Sequence, residues 1–190
     1  MKIVPIFVQE NKREGLFSIH LDGEMEDEVT KCMEQWLLDP QYLYDFFSLH
    51  QDDLNSGYYG KTISIQQAIK YTREEAEALF YQLESLAVSG SKTGSDTLSK
   101  AFHPLYNLEF THKELQLVKA KTPIRKKWLR MYAIKIGPNT FLVTGGAIKL
   151  VETMKESAHL IKEKQKLEDI KYYLKEEGIL DQDDFEMYEI

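Results

Sequence analysis

Four basic side chains, Lys119, Lys121, Arg130 and Lys149, fall in segments that alternate between apolar and other residues. Strand geometry therefore decides which of them share a face, because residues two apart point the same way. Lys119 sides with Lys121, Arg130 with Trp128 and Tyr132, and Lys149 with Gly145 and Ala147. The opposite set is Val118, Ala120, Leu129, Met131, Ala133, Leu142, Ile148 and Leu150. It is apolar and is expected to pack on helices. The first set reads as a basic groove. Gly145 and Gly146 would let a phosphate backbone approach closely. Trp128 and Tyr132 offer faces on which a base can stack. Each feature also has a plainer reading. Lysines at 119 and 121 suit an edge strand that resists aggregation. Arg130 suits a pair with a helix carboxylate, Gly145-Gly146 a bulge, and the two aromatics a core.

The charge balance favours a polyanion as partner. The chain has 190 residues and a net charge of -7, but the signs are separated along it. Residues 1–60 carry 4 basic and 12 acidic side chains, whereas residues 111–175 carry 15 basic and 6 acidic. The last fifteen residues carry 7 acids and no base. A basic block between acidic ones suggests an RNA or DNA site. Part of the block, the lysines of 155–175, equally suits a solvated helix face. Other classes drop out. One cysteine, Cys32, excludes a disulfide framework and a cysteine-rich zinc site and fits a reducing compartment. No apolar run approaches the ~18 residues of a membrane helix, and the short apolar start reads as a strand rather than a leader. A cytoplasmic protein is expected, with no membrane partner and no cofactor. His20, His50 and His103 show no metal-ligand pattern. Glu24, Glu26, Asp27 and Glu28 read as a solvated helix start.

These residues need elements to hold them. Strands are expected over 2–8 and 16–21, joined by a polar loop. Apolar spacings of three and four then predict helices over 25–37, from Pro40 to about 54, and over 64–88. Thr62 or Ser64 can cap the third. Residues 89–95, rich in Ser and Gly, read as a flexible loop. The period changes near residue 111. Strands follow over 113–121, 128–136 and 141–150, the last two joined by Gly137-Pro138-Asn139. A helix over 157–177 ends at Gly178, placed for a left-handed stop. The acidic tail is expected to be mobile or to lie across a basic surface. The order predicts an α+β fold, a helix-covered antiparallel sheet with an enlarged N-terminal helical part. It is expected as one domain, with strands and helices over 1–110, a strand-hairpin-helix core over 111–178 and a tail over 179–190.

The strand 128–136, the turn, and Phe141-Leu142-Val143-Thr144-Gly145-Gly146-Ala147-Ile148-Lys149 together resemble the core hairpin of the RelE/ParE superfamily of toxins. The phage-derived, HigB-like type is the nearest in flavour. The preceding Glu114-Leu115-Gln116-Leu117-Val118-Lys119-Ala120-Lys121 resembles the strand that brings basic residues to that family's site. The resemblance spans about residues 113–178. It implies a RelE-like fold and the toxin half of a type II toxin–antitoxin system, with metal-independent cleavage of messenger RNA, often on the ribosome, and a helix-turn-helix antitoxin as partner. Such cleavage needs a base for the 2′-hydroxyl, cations for the phosphorane and an acid for the leaving oxygen. The resemblance assigns Arg130 and Lys149 to the phosphorane and Lys119 or Lys121 to the base or a second clamp. Trp128, Tyr132, Gly145 and Gly146 would contact the RNA. The chain departs from the pattern where Leu150, not a second Lys, follows Lys149. A non-catalytic RNA- or protein-binding module on the same fold, or a phage-derived accessory protein, is the alternative expectation.

Overall fold

A computed structural model describes residues 1–8, 13–56, 59, 62–93, 96–105, 115–120, 128–151 and 158–189, with the backbone alone at 91–93. Lys121 lies outside these residues. The chain opens with a hairpin of β1 (Lys2–Val8) and β2 (Gly15–His20). Helix α1 (Glu28–Met33) follows and runs on as a π-helical turn over Glu34–Leu38. Then come α2 (Pro40–Leu49), the short α3 (Gln51–Leu54) and the long α4 (Ile65–Thr93). Strands β3 (Phe102–Pro104), β4 (Gln116–Ala120), β5 (Leu129–Lys135) and β6 (Thr140–Ile148) follow, and helices α5 (Ala158–Glu176) and α6 (Gln182–Met187) close the chain. The fold is α+β, with one six-stranded sheet in the order β1-β2-β6-β5-β4-β3.

Local chemistry sets these boundaries. The Asp27 carboxylate accepts from the amides of Val29 and Thr30 and starts α1. Asp39 accepts from Tyr42, with Pro40 in the first turn of α2. Ser64 and Gln67 exchange side-chain and backbone hydrogen bonds at the start of α4, a reciprocal cap. Gly178, at φ +80°, takes the left-handed conformation that ends α5.

Three expectations are corrected. The sheet is mixed, because β2 and β6 run parallel over Gly15–Ser18 and Thr140–Val143. Strand β2 is buried on both faces, as parallel strands usually are. Residues 89–93 continue α4 instead of forming a loop. They do so because Asn139, in the β5–β6 turn, accepts from the Leu98 amide and donates to the Ala87 carbonyl. A side chain at Gly90 would meet that amide group, so the glycine lets helix and turn close together. Over its described residues the tail is folded and packed rather than loose, and Arg13 donates to the Phe185 and Tyr188 carbonyls. Asp181 caps α6, and Phe185 is fully buried, edge-on to Phe17 with ring centroids 4.9 Å apart.

Helices cover both faces of the sheet. On one side α1, α2 and α4 meet Leu16, Val118, Leu129, Met131, Val143 and Ile148. On the other, Leu160, Leu167, Ile170 and Leu174 of α5 meet Phe17, Leu117, Tyr132, Ile134 and Leu142. The alternation argument placed Leu142 with the first set. A bulge reverses it: Tyr132 faces Gly145 and Ala133 faces Val143, leaving Thr144 as the extra residue.

The α4 layer is keyed to β5 by buried polar groups. Both oxygens of Glu75, which is 2% exposed, accept backbone amides, Oε2 from Trp128 and Oε1 from Leu129, each at 3.2 Å. Thr72 accepts from the Trp128 indole at 2.9 Å, and its hydroxyl donates to the Ala68 carbonyl at 2.8 Å. An amide left buried without a partner costs about 1–3 kcal/mol. Glu75→Ala strands two of them and should lower stability by at least ~2 kcal/mol, with Glu75→Gln losing less. Urea unfolding of the three proteins checks this, and equal midpoints would contradict it.

Candidate nucleic-acid interface and the charged cleft beside it

Lys119 is next to last in β4, Arg130 is second in β5 and Lys149 follows β6, so all three lie at one end of the sheet. The pairings Lys119 to Tyr132 and Arg130 to Ala147 put Lys119 and Arg130 on the face that carries α5. Lys149 sits between Ile148 and Leu150, which both enter the opposite core, so its side chain leaves that core. All three are half-buried. Nη1 of Arg130 donates to the Leu129 carbonyl at 2.6 Å, which holds that end of the guanidinium against its own strand. The chain between Ala120 and Trp128 adds Lys121, Arg125, Lys126 and Lys127 in sequence, outside the described residues.

The rest of the expected groove is filled. Trp128 is 3% exposed and departs from the Arg130 face, because it precedes the first residue of β5. Its ring packs among Phe47, Tyr59 and Tyr71 on the α4 side. Tyr132 is 1% exposed beneath α5, and burial pushes its phenol pKa up. Neither ring can stack on a base. The two glycines admit protein, not phosphate. A side chain at Gly146 would strike Trp36 and Cys32, and one at Gly145 would strike Glu163 and Lys166. The bulge is the reading that holds for this pair.

What lies over Gly145 is a cluster that strand alternation does not reveal. Beyond Val143, β6 leaves β2 behind, and α1 approaches its uncovered edge. Lys166 of α5 pairs there with Glu28 of α1 at 2.7 Å and with Glu163 at 2.9 Å. Lys31 lies 3.5 Å from Glu28 and 3.0 Å from Glu24. The Glu28 side chain is 3% exposed, so the expected solvated helix start is corrected at this residue. Burial holds the Glu163 carboxyl above its ordinary pKa, and Lys166 only partly opposes this. Burial pulls Lys166 down, but Glu163 and Glu28 outweigh it and leave the ammonium above its usual value. Burial also pushes the Cys32 thiol up, which keeps it from acting as a thiolate.

A cleft of about 380 Å³ opens beside this cluster, between α1, α2, the start of α5 and the Gly146–Ile148 edge. Phe46, His50 and His159 form one wall, with ring centroids 4.5 to 5.4 Å apart. His50 bonds Asp53 through Nδ1 at 3.3 Å. His159 donates from Nε2 to the Ile148 carbonyl at 2.8 Å, at the end of the sheet where Lys149 stands. Among the described residues, no group of His, Cys, Asp and Glu side chains converges to hold a metal, and no helix is long and apolar enough to cross a membrane. Against models of protein families, curated proteins and solved structures, the chain finds no match.

Two outcomes follow from this geometry. Gly145 has φ +154°, and an added Cβ would lie 2.1 Å from Glu163 Oε2. Gly145→Ala should therefore cost about 1–3 kcal/mol by urea unfolding, and a neutral substitution would contradict the packing. Burial lowers the His159 pKa from 6.5; the Ile148 carbonyl opposes this, His50 adds to it and Asp53 opposes it. As pH falls through 6.5 the unfolded histidine takes a proton before the folded one does. The stability it contributes is thus present above that pH and lost on acidification, by at most ~1.4 kcal/mol per pH unit. His159→Gln should flatten the pH–stability curve below pH 6.5, and an unchanged slope would contradict this assignment.

Proposed function

We propose that the chain is an RNA-directed toxin of the RelE/HigB-like kind, held in check by a small helix-turn-helix antitoxin in the cytoplasm. The observation that carries the reading is the gathering of Lys119, Arg130 and Lys149 at one end of the sheet. Cleavage would proceed by attack of a 2′-hydroxyl on the adjacent phosphate, its proton passing to the base, to form a 2′,3′-cyclic phosphate as the bond to the 5′-oxygen breaks and that oxygen takes a proton from solvent. Arg130 and Lys149 would balance the charge that builds on the phosphorane. Lys119 would act as base or second clamp, the role it shares with Lys121. Preorganised cations serve here because they need no rearrangement as charge develops.

One observation favours the second reading, a non-catalytic RNA- or protein-binding module, in its protein-binding form. Trp128 and Tyr132 are held in the core and Gly145 and Gly146 are covered by protein, so all four groups assigned to hold RNA are withdrawn from it.

Losing one such cation typically costs about 100- to 1,000-fold in rate, or ~2.7–4 kcal/mol. Arg130→Ala and Lys149→Ala should each abolish growth arrest on induction while the protein remains folded. Lys162→Ala, on the exposed face of α5, should leave arrest intact. Lys166 is not a second control of that kind, because it is tied to Glu28 and Glu163. Equal arrest by parent, Arg130→Ala and Lys149→Ala would defeat this assignment. A parent that binds RNA without arresting growth would favour the binding module.

A further inference from the structure

We infer that the cleft between α1, α2 and α5 is a pocket for a single nucleobase with an exocyclic amino group. The inference rests on the RNA reading above, and it assigns the pocket to a base of the same strand whose phosphates meet Arg130 and Lys149.

Size and shape come first. About 380 Å³ falls within the ~300–1,000 Å³ of small-molecule pockets. The wall of Phe46, His50 and His159 is a set of ring faces and edges, the surface on which unstacked bases are held. Tyr42 lines the same space. The floor is the Gly146–Ile148 edge of β6, which β2 leaves uncovered after Ser18 and Val143.

The polar end selects the base. Glu28 and Glu163 both line the cleft, and carboxylates only accept hydrogen bonds when ionised. Glu163 gives Oε1 to Lys166 and leaves Oε2 buried with no hydrogen-bond partner. A buried acceptor in that condition calls for a donor. Adenine, cytosine and guanine each carry an amino group; uracil carries none. The two cations beside the carboxylates, Lys31 and Lys166, are paired within the cluster, so the cleft offers little net charge to a phosphate. It suits a neutral, flat, hydrogen-bonding ring.

Place completes the argument. His159 bonds the Ile148 carbonyl, one residue before Lys149. The mouth of the cleft is therefore next to the basic end of the sheet, and one nucleotide can present its phosphate to that end and its base to the cleft.

The test uses the full chain. AMP, CMP, GMP and UMP are titrated while amide shifts near Gly146 and Lys31 are followed, and six-residue oligo(A) and oligo(U) are compared in the same way. The three amino-bearing nucleotides should bind about tenfold or more tighter than UMP, and oligo(A) tighter than oligo(U). Glu163→Gln should erase most of that discrimination. His50→Ala, at a partly exposed ring, should weaken all four nucleotides. Oligomers bound far more tightly than mononucleotides mark RNA as the source; equal affinities mark a free nucleotide, with the pocket still supported. Equal binding of all bases, discrimination unchanged in Glu163→Gln, or affinities unchanged in His50→Ala overturns the inference. Growth arrest that depends on Arg130 without base discrimination defeats the pocket alone. Base discrimination in a chain that neither arrests growth nor binds oligomers defeats the RNA reading and leaves the pocket standing.

Discussion

Lys166 holds the two helical layers to the same strand. Its ammonium lies between Glu28, at the start of α1, and Glu163, one turn back on α5, with Gly145 directly beneath. Both layers meet there because β2 stops pairing with β6 after Val143 and exposes an edge. A fully apolar plug would leave the edge amides and carbonyls without polar neighbours, and a lone lysine would be a buried charge without a counterion. Two carboxylates around one ammonium keep the charges compensated. The bulge at Thr144 sets the strand so that Gly145 faces α5 and Gly146 faces Trp36 and Cys32. The cleft and the bulge both border this contact. Loss of Lys166 would leave the buried Glu28 with Lys31 alone and Glu163 without its counterion, which is costlier than never having built the cluster.

The elements whose period is strong could be read from the sequence. The apolar spacing along α4, Pro40 at the start of α2, the Gly137-Pro138-Asn139 turn and Gly178 at the end of α5 all act through local backbone chemistry. The misreadings share a cause: each depended on a distant contact. Residues 89–93 look like a linker because the groups that hold them are Asn139 and Leu98. The tail looks loose because its anchor, Phe185, is a single aromatic among acids. The parallel pairing of β2 with β6 joins residues some 125 apart in the chain and leaves no local signature.

The candidate site divides the same way. Lys119 and Arg130 share a face because alternation within a strand is a local rule. Trp128 breaks the rule since it stands before the strand, and its amide and indole are claimed by Glu75 and Thr72 more than fifty residues earlier. Glu28, His50, His159, Glu163 and Lys166 come from α1, the α2–α3 junction and α5, which sequence spacing cannot bring together. The one available signal was a glycine pair in a strand otherwise rich in large residues, which marks a close approach without naming what approaches.

The central claim is that Lys119, Arg130 and Lys149 form a phosphate-binding end of the sheet. The most direct measurement is the salt dependence of affinity for a single-stranded RNA, in the parent and in the Arg130→Ala/Lys149→Ala double variant. Each phosphate contact on a single strand contributes about 0.7 to the slope of log affinity against log salt. Losing two contacts should reduce that slope by about 1.4 and weaken binding across sequences. A double variant with the parent's slope and the parent's affinity would contradict the account.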